Sequence, residues 1–405
     1  MIQADTLKPG WKLVKFGDVV RLSKERAANP EAEGIERYVG LEHIDPDDLR
    51  IRRWGLVAEG ITFTSKFKPG QVLFGKRRAY QRKVAVADFE GVCSGDIYVF
   101  ESANPKALIP EFLPFICQTD RFFEYAVGTS AGSLSPRTNW TSLAKFEFTL
   151  PPPEEQEQLA NVLINASNTL EKLYQLHHDI KILLQSYIDF QTNEQLANIV
   201  KIQQLIDEKI IAPPQDGNHG EKHPKGKDYV EIGIPFLMAS DVVDGKINFN
   251  ECKYISKELA LSLRIGFAKE GDVLLTHKGT VGETAILHGI KTEFVMLTPQ
   301  VTYYRIQKEE RLLAKYLYLV FRSSFFQRQL VSYSRQSTRS YIGIQRQREL
   351  QIPLTPFSIQ EVAVEKLEQL ENTLSSVSQR IDEAQATLKY LRELITKSKG
   401  IGVNV

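Results

Sequence analysis

At 405 residues, 42% of them hydrophobic and 25% charged, the chain is long enough for roughly two to four domains with cores of their own, and too apolar to stay disordered. Its apolar runs stop short of the roughly eighteen residues a membrane span needs, and the start of the chain lacks the apolar stretch of a secretory signal. Three scattered cysteines, Cys93, Cys117 and Cys252, argue against a disulfide framework or a zinc knuckle, so the expected compartment is the cytoplasm, with no membrane partner. The net charge of +1 is unevenly shared: residues 1–153 carry +2 and residues 191–355 carry +4, against −5 for segments 154–190 and 356–405 together. Mildly basic globular parts permit a polyanionic partner without requiring one.

In chain order, WKLVKFGDVV from Trp11 alternates apolar positions before Asp18, and VKIQQLIDEK from Val200 does the same before Asp207. Polar loops follow at 21–37 and 212–228. Each leads into a segment that favours a strand, YVGLEHI at 38–44 and IPFLMASDV at 234–242. FKPGQVLFGKRRA at 67–79 then matches FAKEGDVLLTHKGT at 267–280, a glycine turn before an apolar strand with a polar tip. LPFICQTDRFFEYA and LYLVFRSSFFQRQL have the periodicity of short helices. FEFTLPPPEEQ at 146–156 lines up with LQIPLTPFSIQ at 350–360, and in both a proline suits the first turn of a helix.

That helix is a heptad seam. Leu159, Leu163, Ala166, Leu170, Leu173, His177, Ile180, Leu184 and Tyr187 alternate spacings of four and three. Ala363, Leu367, Leu370, Leu374, Val377, Ile381, Ala384, Leu388 and Leu391 repeat them 204 positions later. The order is domain, long helix, domain, long helix. A second helix that starts at the second domain must run back to meet the first, so the pair is antiparallel. Some 37 residues span roughly 55 Å, enough to serve as a ruler. The seam residues expected at the helix pair are Leu159, Leu163, Leu170, Leu173, Leu184, Leu367, Leu374, Val377 and Leu388. The expected fold is α+β: mixed α/β domains at 1–153 and 198–355, with long helices at 154–197 and 356–405.

Between Glu59 and Asp88 lie seven cations and no acid, among them Lys76, Arg77, Arg78, Arg82 and Lys83, with Tyr80 between them. A second acid-free window between Glu310 and Glu349 holds eight, including Arg335 and Arg339. A single charge run is usually a solvated face; two of them in duplicated domains favour a nucleic-acid surface. Arginine matches the two acceptors of guanine, whereas Asn139 and Gln336 have the shape to read adenine. Arg137 joins the candidate set beside Asn139. His277 with Lys278 and Thr280 sits at the second tip, where a base-edge reader and an exposed turn histidine are both open readings. His219 and His223 lie on a loop with no third ligand nearby, which favours a polar loop or DNA contact over zinc. His177 reads as a polar register mark in the seam. GQVLFGKR misses a phosphate-binding loop because Arg77 stands where a magnesium-binding hydroxyl belongs. No spacing suggests a catalytic motif.

The duplicated layout, WKLVKFGDVV, FKPGQVLFGKRRAYQRKVAVADF, DGNHG at 216–220, KGTVG at 278–282 and above all LPPPEEQEQLA together resemble the specificity subunit of type I restriction-modification enzymes, over essentially the whole chain. The resemblance implies a non-catalytic subunit with two target recognition domains, each reading one half of a split sequence in double-stranded DNA. The helices would set the unread spacer and dock two methyltransferase (modification) subunits. It implies no cofactor in this chain, S-adenosylmethionine in those partners, and ATP with Mg in restriction subunits. TPFSIQ replaces PPPEEQ at the second helix start, and Thr276-His277-Lys278 replaces the cationic tip, which points to an asymmetric target. A self-sufficient DNA-modifying enzyme and a coiled-coil scaffold with two protein-binding heads are the competing readings.

Overall fold

In the computed structural model, which describes residues 7–193, 197–219, 223–334 and 341–395, each half of the chain closes on itself through a short ribbon. Lys12–Lys15 pairs antiparallel with Glu147–Leu150, and Asn198–Lys201 pairs antiparallel with Gln351–Leu354. The two opening segments thus become a strand and then a helical turn, at Phe16–Val19 and Ile202–Asp207, and each ribbon brings the end of its domain back to the beginning.

The sheets repeat strand for strand. In the first half the order is Val20–Leu22, Ile97–Ser102, Val72–Gly75, Val84–Val86, all antiparallel. In the second it is Gln215–Asp216, Val301–Tyr304, Val273–Lys278, Thr280–Ile286, with the same sense throughout. The other sheet runs Gly55–Leu56, Arg37–Val39, Gly91–Cys93, Ser65–Phe67. Its counterpart runs Lys253–Ile255, Ile234–Leu237, Val295–Leu297, Phe267–Ala268, with Tyr229–Val230 added at the edge. Each contains one parallel pair, Arg37–Val39 with Gly91–Cys93 and Ile234–Leu237 with Val295–Leu297. Turn chemistry repeats as well. Gly70 and Gly271 both hold left-handed backbone (φ +87° and +85°) ahead of the central strand, a conformation an L side chain resists.

The two predicted short-helix segments each break into two helices. Leu113–Cys117 and Asp120–Gly128 meet at the buried Thr119, which caps the second of them. Ala314–Arg322 and Ser324–Ser334 meet at the buried Ser323. Packed aromatics fill the first domain, where the Phe122 ring contacts both Phe16 and Phe74; in the second, Phe321 contacts both Tyr304 and Phe326.

The long helices are Pro153–Gln191 and Phe357–Leu394. The chain divides into two compact units, residues up to Tyr174 together with those from Gln379 onward, and residues Gln175–Ser378. Each unit therefore holds the beginning of one long helix and the end of the other. In the first, Ala160 and Leu163 share a core with Leu388 and Ile395, with Leu159, Leu170 and Leu391 packed against it. In the second, Leu184 and Ile188 share a core with Ala363 and Leu367, with Leu374 packed against it. The helices are antiparallel in each. Val377 is buried and Leu173 half-buried. Burying one such leucine stabilises by about 1.5–3 kcal/mol. His177 is also half-buried. The divergent second start makes the same structure as the first: Gln156 and Gln360, 204 residues apart, are both fully buried.

Candidate nucleic-acid interface

In the first unit the central strand ends at Gly75, and Lys76 to Lys83 form the tip. Arg78 (φ 54°) and Arg82 (φ 55°) are both left-handed and bracket the turn Ala79–Gln81. Two arginines in a region that disfavours side chains mark a loop held in place by its surroundings. Those surroundings are a second loop: the Arg78 amide donates to the Pro136 carbonyl at 2.7 Å, and Arg77 forms a bridge with Arg137.

The fold uses much of the cationic window internally. Arg77 and Arg137 both reach the Asp96 carboxylate, at 3.1 and 2.9 Å. Burial pushes that carboxyl up, but the hydrogen bonds and charges of Arg137 and Arg77 outweigh it and leave it below its usual range. Arg82 pairs with Asp47 and Asp120 and lies over the Phe123 ring. Lys83 donates to the Leu41 carbonyl at 2.6 Å, and Lys76, its ammonium pKa lowered by burial, lies over Tyr98. Lys66 and Lys68 pair with Glu90 and Glu25. Asn139 accepts from the Ser142 amide as the cap of Trp140–Leu143, so the oxygen expected to read adenine is engaged in the fold. What faces solvent is Arg78, which makes no ion pair with a described residue, together with Tyr80, 55% exposed, and the half-free guanidinium of Arg137.

In the second unit the strand Val273–Lys278 runs two residues further than its counterpart, and this corrects the reading of His277. The residue is fully buried, neither an exposed turn histidine nor placed to touch a base edge. Its amide donates to Gln300, its carbonyl accepts from Ile342, and Nδ1 stands 3.0 Å from the Ile342 carbonyl. Burial lowers its pKa to about 4 against the opposing pull of Asp216, 3.8 Å away, so the ring is neutral near pH 7. Lys278 and Thr280 remain exposed at the hairpin.

Beside them lies a cleft of about 370 Å³ lined by His219, His223, Met238, Lys278, Thr298 and Gln300. His219 is held by the buried Asp216 at 2.7 Å. The glycine of DGNHG is required there: a Cβ on Gly217 would overlap the Leu297 carbonyl. Three described cations of the second window are paired within the fold. Arg311 pairs with Glu208, Lys315 with Glu368 and Arg322 with Glu371. Arg335, Gln336 and Arg339 lie outside the described residues. Asp96, Asp216 and the Asp216–His219 contact are absent from the sequence-based candidates; DGNHG is a sequence signal for Asp216 and His219, and Asp96 carries none.

A profile described as the type I restriction modification DNA specificity domain matches residues 9–181 and again residues 218–386. The chain belongs to this family. As a specificity subunit of a type I restriction-modification system, it carries two repeated target recognition domains. It is 19% identical to the type I restriction enzyme MjaVIII specificity subunit of Methanocaldococcus jannaschii, aligned over 96% of this chain and 92% of that one. Its fold is shared with a chain solved in work on complex assembly and conformational transition of the type I R-M system (TM-score 0.62, 20% identity, 96% and 97% of the two chains covered). It is shared also with the S subunit of a type I restriction-modification system from M. genitalium (TM-score 0.60, 13% identity, 99% of each covered). Among the described residues no helix is long and apolar enough to cross a membrane.

Proposed function

We propose that this chain is the non-catalytic DNA reader of a cytoplasmic methyltransferase complex, in which each domain contacts one half of a bipartite, asymmetric duplex target. The observation that carries the reading is the strand-for-strand repeat of two sheets whose corresponding tips differ, Arg78 with Tyr80 in one and Lys278 with Thr280 in the other. A repeated scaffold with unlike tips suits two unlike half-sites. Arg78, Tyr80 and Arg137 in the first domain, and Lys278, Thr280 and His219 in the second, are the side chains in reach of DNA. Arg335, Gln336 and Arg339, expected from the sequence to contact DNA, lie outside the described residues. Phosphate contacts would set affinity and base-edge contacts the sequence.

Two methyltransferase subunits dock on the long helices, where Leu176, Ile182, Leu183 and Phe190 present exposed apolar side chains. S-adenosylmethionine belongs to those subunits, and ATP with Mg to restriction subunits when these join. The test is methylome sequencing of cells carrying the chain and its methyltransferase partner. A bipartite methylated motif is expected, and an insertion of seven residues in register into both helices lengthens its spacer. Methylation by the chain alone, given S-adenosylmethionine and magnesium, would instead establish a self-sufficient enzyme. DNA binding that is absent with all partners present would leave only a scaffold.

A further inference from the structure

Both long helices are fastened to their domains by the same pair of contacts. At the start of the first, Gln156 accepts from the Ile109 amide at 2.9 Å and donates to the Ala107 and Pro151 carbonyls, each at 2.8 Å. At the start of the second, Gln360 accepts from Leu313 at 3.1 Å and donates to Arg311 and Thr355 at 3.0 and 2.9 Å. All four positions in each set are offset by 204. One acceptor and two donors of a buried primary amide are each satisfied by backbone; a carboxylate lacks the donors, and an asparagine is one methylene short.

The far ends are fastened by carboxylates. Glu393, near the end of the second helix, accepts from the Asp120 amide at 2.8 Å. Asp189, near the end of the first, accepts from the Ser324 amide at 2.7 Å and the Ser324 hydroxyl at 2.8 Å. Asp120 and Ser324 are the first residues of equivalent short helices, where unsatisfied amides and the helix dipole favour a negative group. The interval from Gln156 to Asp189 is 33 residues, and from Gln360 to Glu393 it is also 33. Each interval covers roughly 50 Å of helix.

We infer that Gln156, Asp189, Gln360 and Glu393 are positioning residues that fix the spacer of the DNA target: they are the marks between which each helix acts as a gauge. The inference rests on the reading of the helices as the spacer between two recognition domains. A heptad seam alone permits a slip of one repeat, whereas polar contacts with a single geometry do not. The seam holds the helices together, and the four side chains set where along them each domain is seated.

The test uses the complete chain with its methyltransferase subunits and a series of duplexes carrying both half-sites at the native spacer and at one base pair shorter or longer. The ratio of initial methylation rates, native over altered spacing, is the readout. Gln156→Leu with Gln360→Leu should lower that ratio about tenfold while preference within each half-site is kept; loss of stability alone slows all duplexes alike and leaves the ratio where it was. An unchanged ratio overturns the inference. Should the double variant fail to fold, Asp189→Ala and Asp189→Asn decide: asparagine keeps an acceptor for Ser324 and should keep the ratio, alanine should lose it, and equal ratios refute the assignment. If the wild-type complex methylates no bipartite duplex at all, the spacer reading has failed first and the inference falls with it.

Discussion

Arg322 donates to the Glu371 carboxylate in the second unit, whereas the positions 204 residues earlier hold Gln118 and Ser167, which do not pair. Tyr318 donates to the same carboxylate, and its counterpart in the first unit is Pro114. Duplicated backbones thus close the same corner with different chemistry. There, in the first unit, Gln118 Oε1 and Ser167 Oγ are buried without a partner.

Removing the acceptor in the second unit should be expensive for its neighbours. Glu371→Ala leaves Arg322 and Tyr318 without their shared partner and is expected to reduce unfolding free energy by about 1–3 kcal/mol. Introducing Gln118→Arg and Ser167→Glu together should restore the pair in the first unit. Gln118 is buried and Ser167 half-buried, so a double-mutant cycle by denaturant unfolding should give a favourable coupling of about 0.5–3 kcal/mol, the range for residues in direct contact; a coupling of zero would mean that the two corners are not equivalent.

His277 predicts a pH dependence. Its folded pKa is near 4 and its unfolded value 6.5, so between these the unfolded state binds the extra proton. Stability attributable to this ring is therefore full above about pH 6.5 and is lost as pH falls toward 4, by up to roughly 3 kcal/mol. Chemical denaturation of the wild type and of His277→Gln across this range should show a steeper acid loss in the wild type. Parallel curves would contradict burial of a neutral ring.

The first tip separates reading from scaffolding. Arg78→Ala should relax preference at one base position by about 1–3 kcal/mol and leave thermal stability nearly unchanged. The sequence suggests Lys83 as a phosphate contact, yet its ammonium is tied to the Leu41 carbonyl. Lys83→Met is accordingly expected to lower the melting temperature while the salt slope of DNA binding keeps its wild-type value, whereas loss of a phosphate contact would reduce that slope by about one unit. A reduction of about one unit, with stability intact, would return Lys83 to the DNA surface.

The duplication was legible because it is written in apolar and glycine positions that local rules interpret: the leucines of the seam, Gly70 with Gly271, and the helix-start prolines. The electrostatic surface was not. An acid-free window says nothing about acids delivered by distant segments, and Asp96, Asp47, Asp120, Glu368 and Glu371 all arrive that way to occupy Arg77, Arg82, Lys315 and Arg322. His277 was misplaced because its strand continues to Lys278, which turns a tip position into an interior one. Gln156 and Gln360 stand in plain view as the same letter at the same offset. A polar residue on a long helix, however, reads as solvent-facing until the backbone groups it meets are known.

The division of the chain has a consequence for its synthesis. The second unit is one continuous stretch, but the first lacks Leu388 and Ile395 until nearly the whole chain has left the ribosome. At ordinary elongation rates of about 5–20 residues per second, the roughly 200 residues between Tyr174 and Gln379 take on the order of 10–40 s. The domain translated first is then the last to be completed, its core waiting through that interval for Leu388 and Ile395.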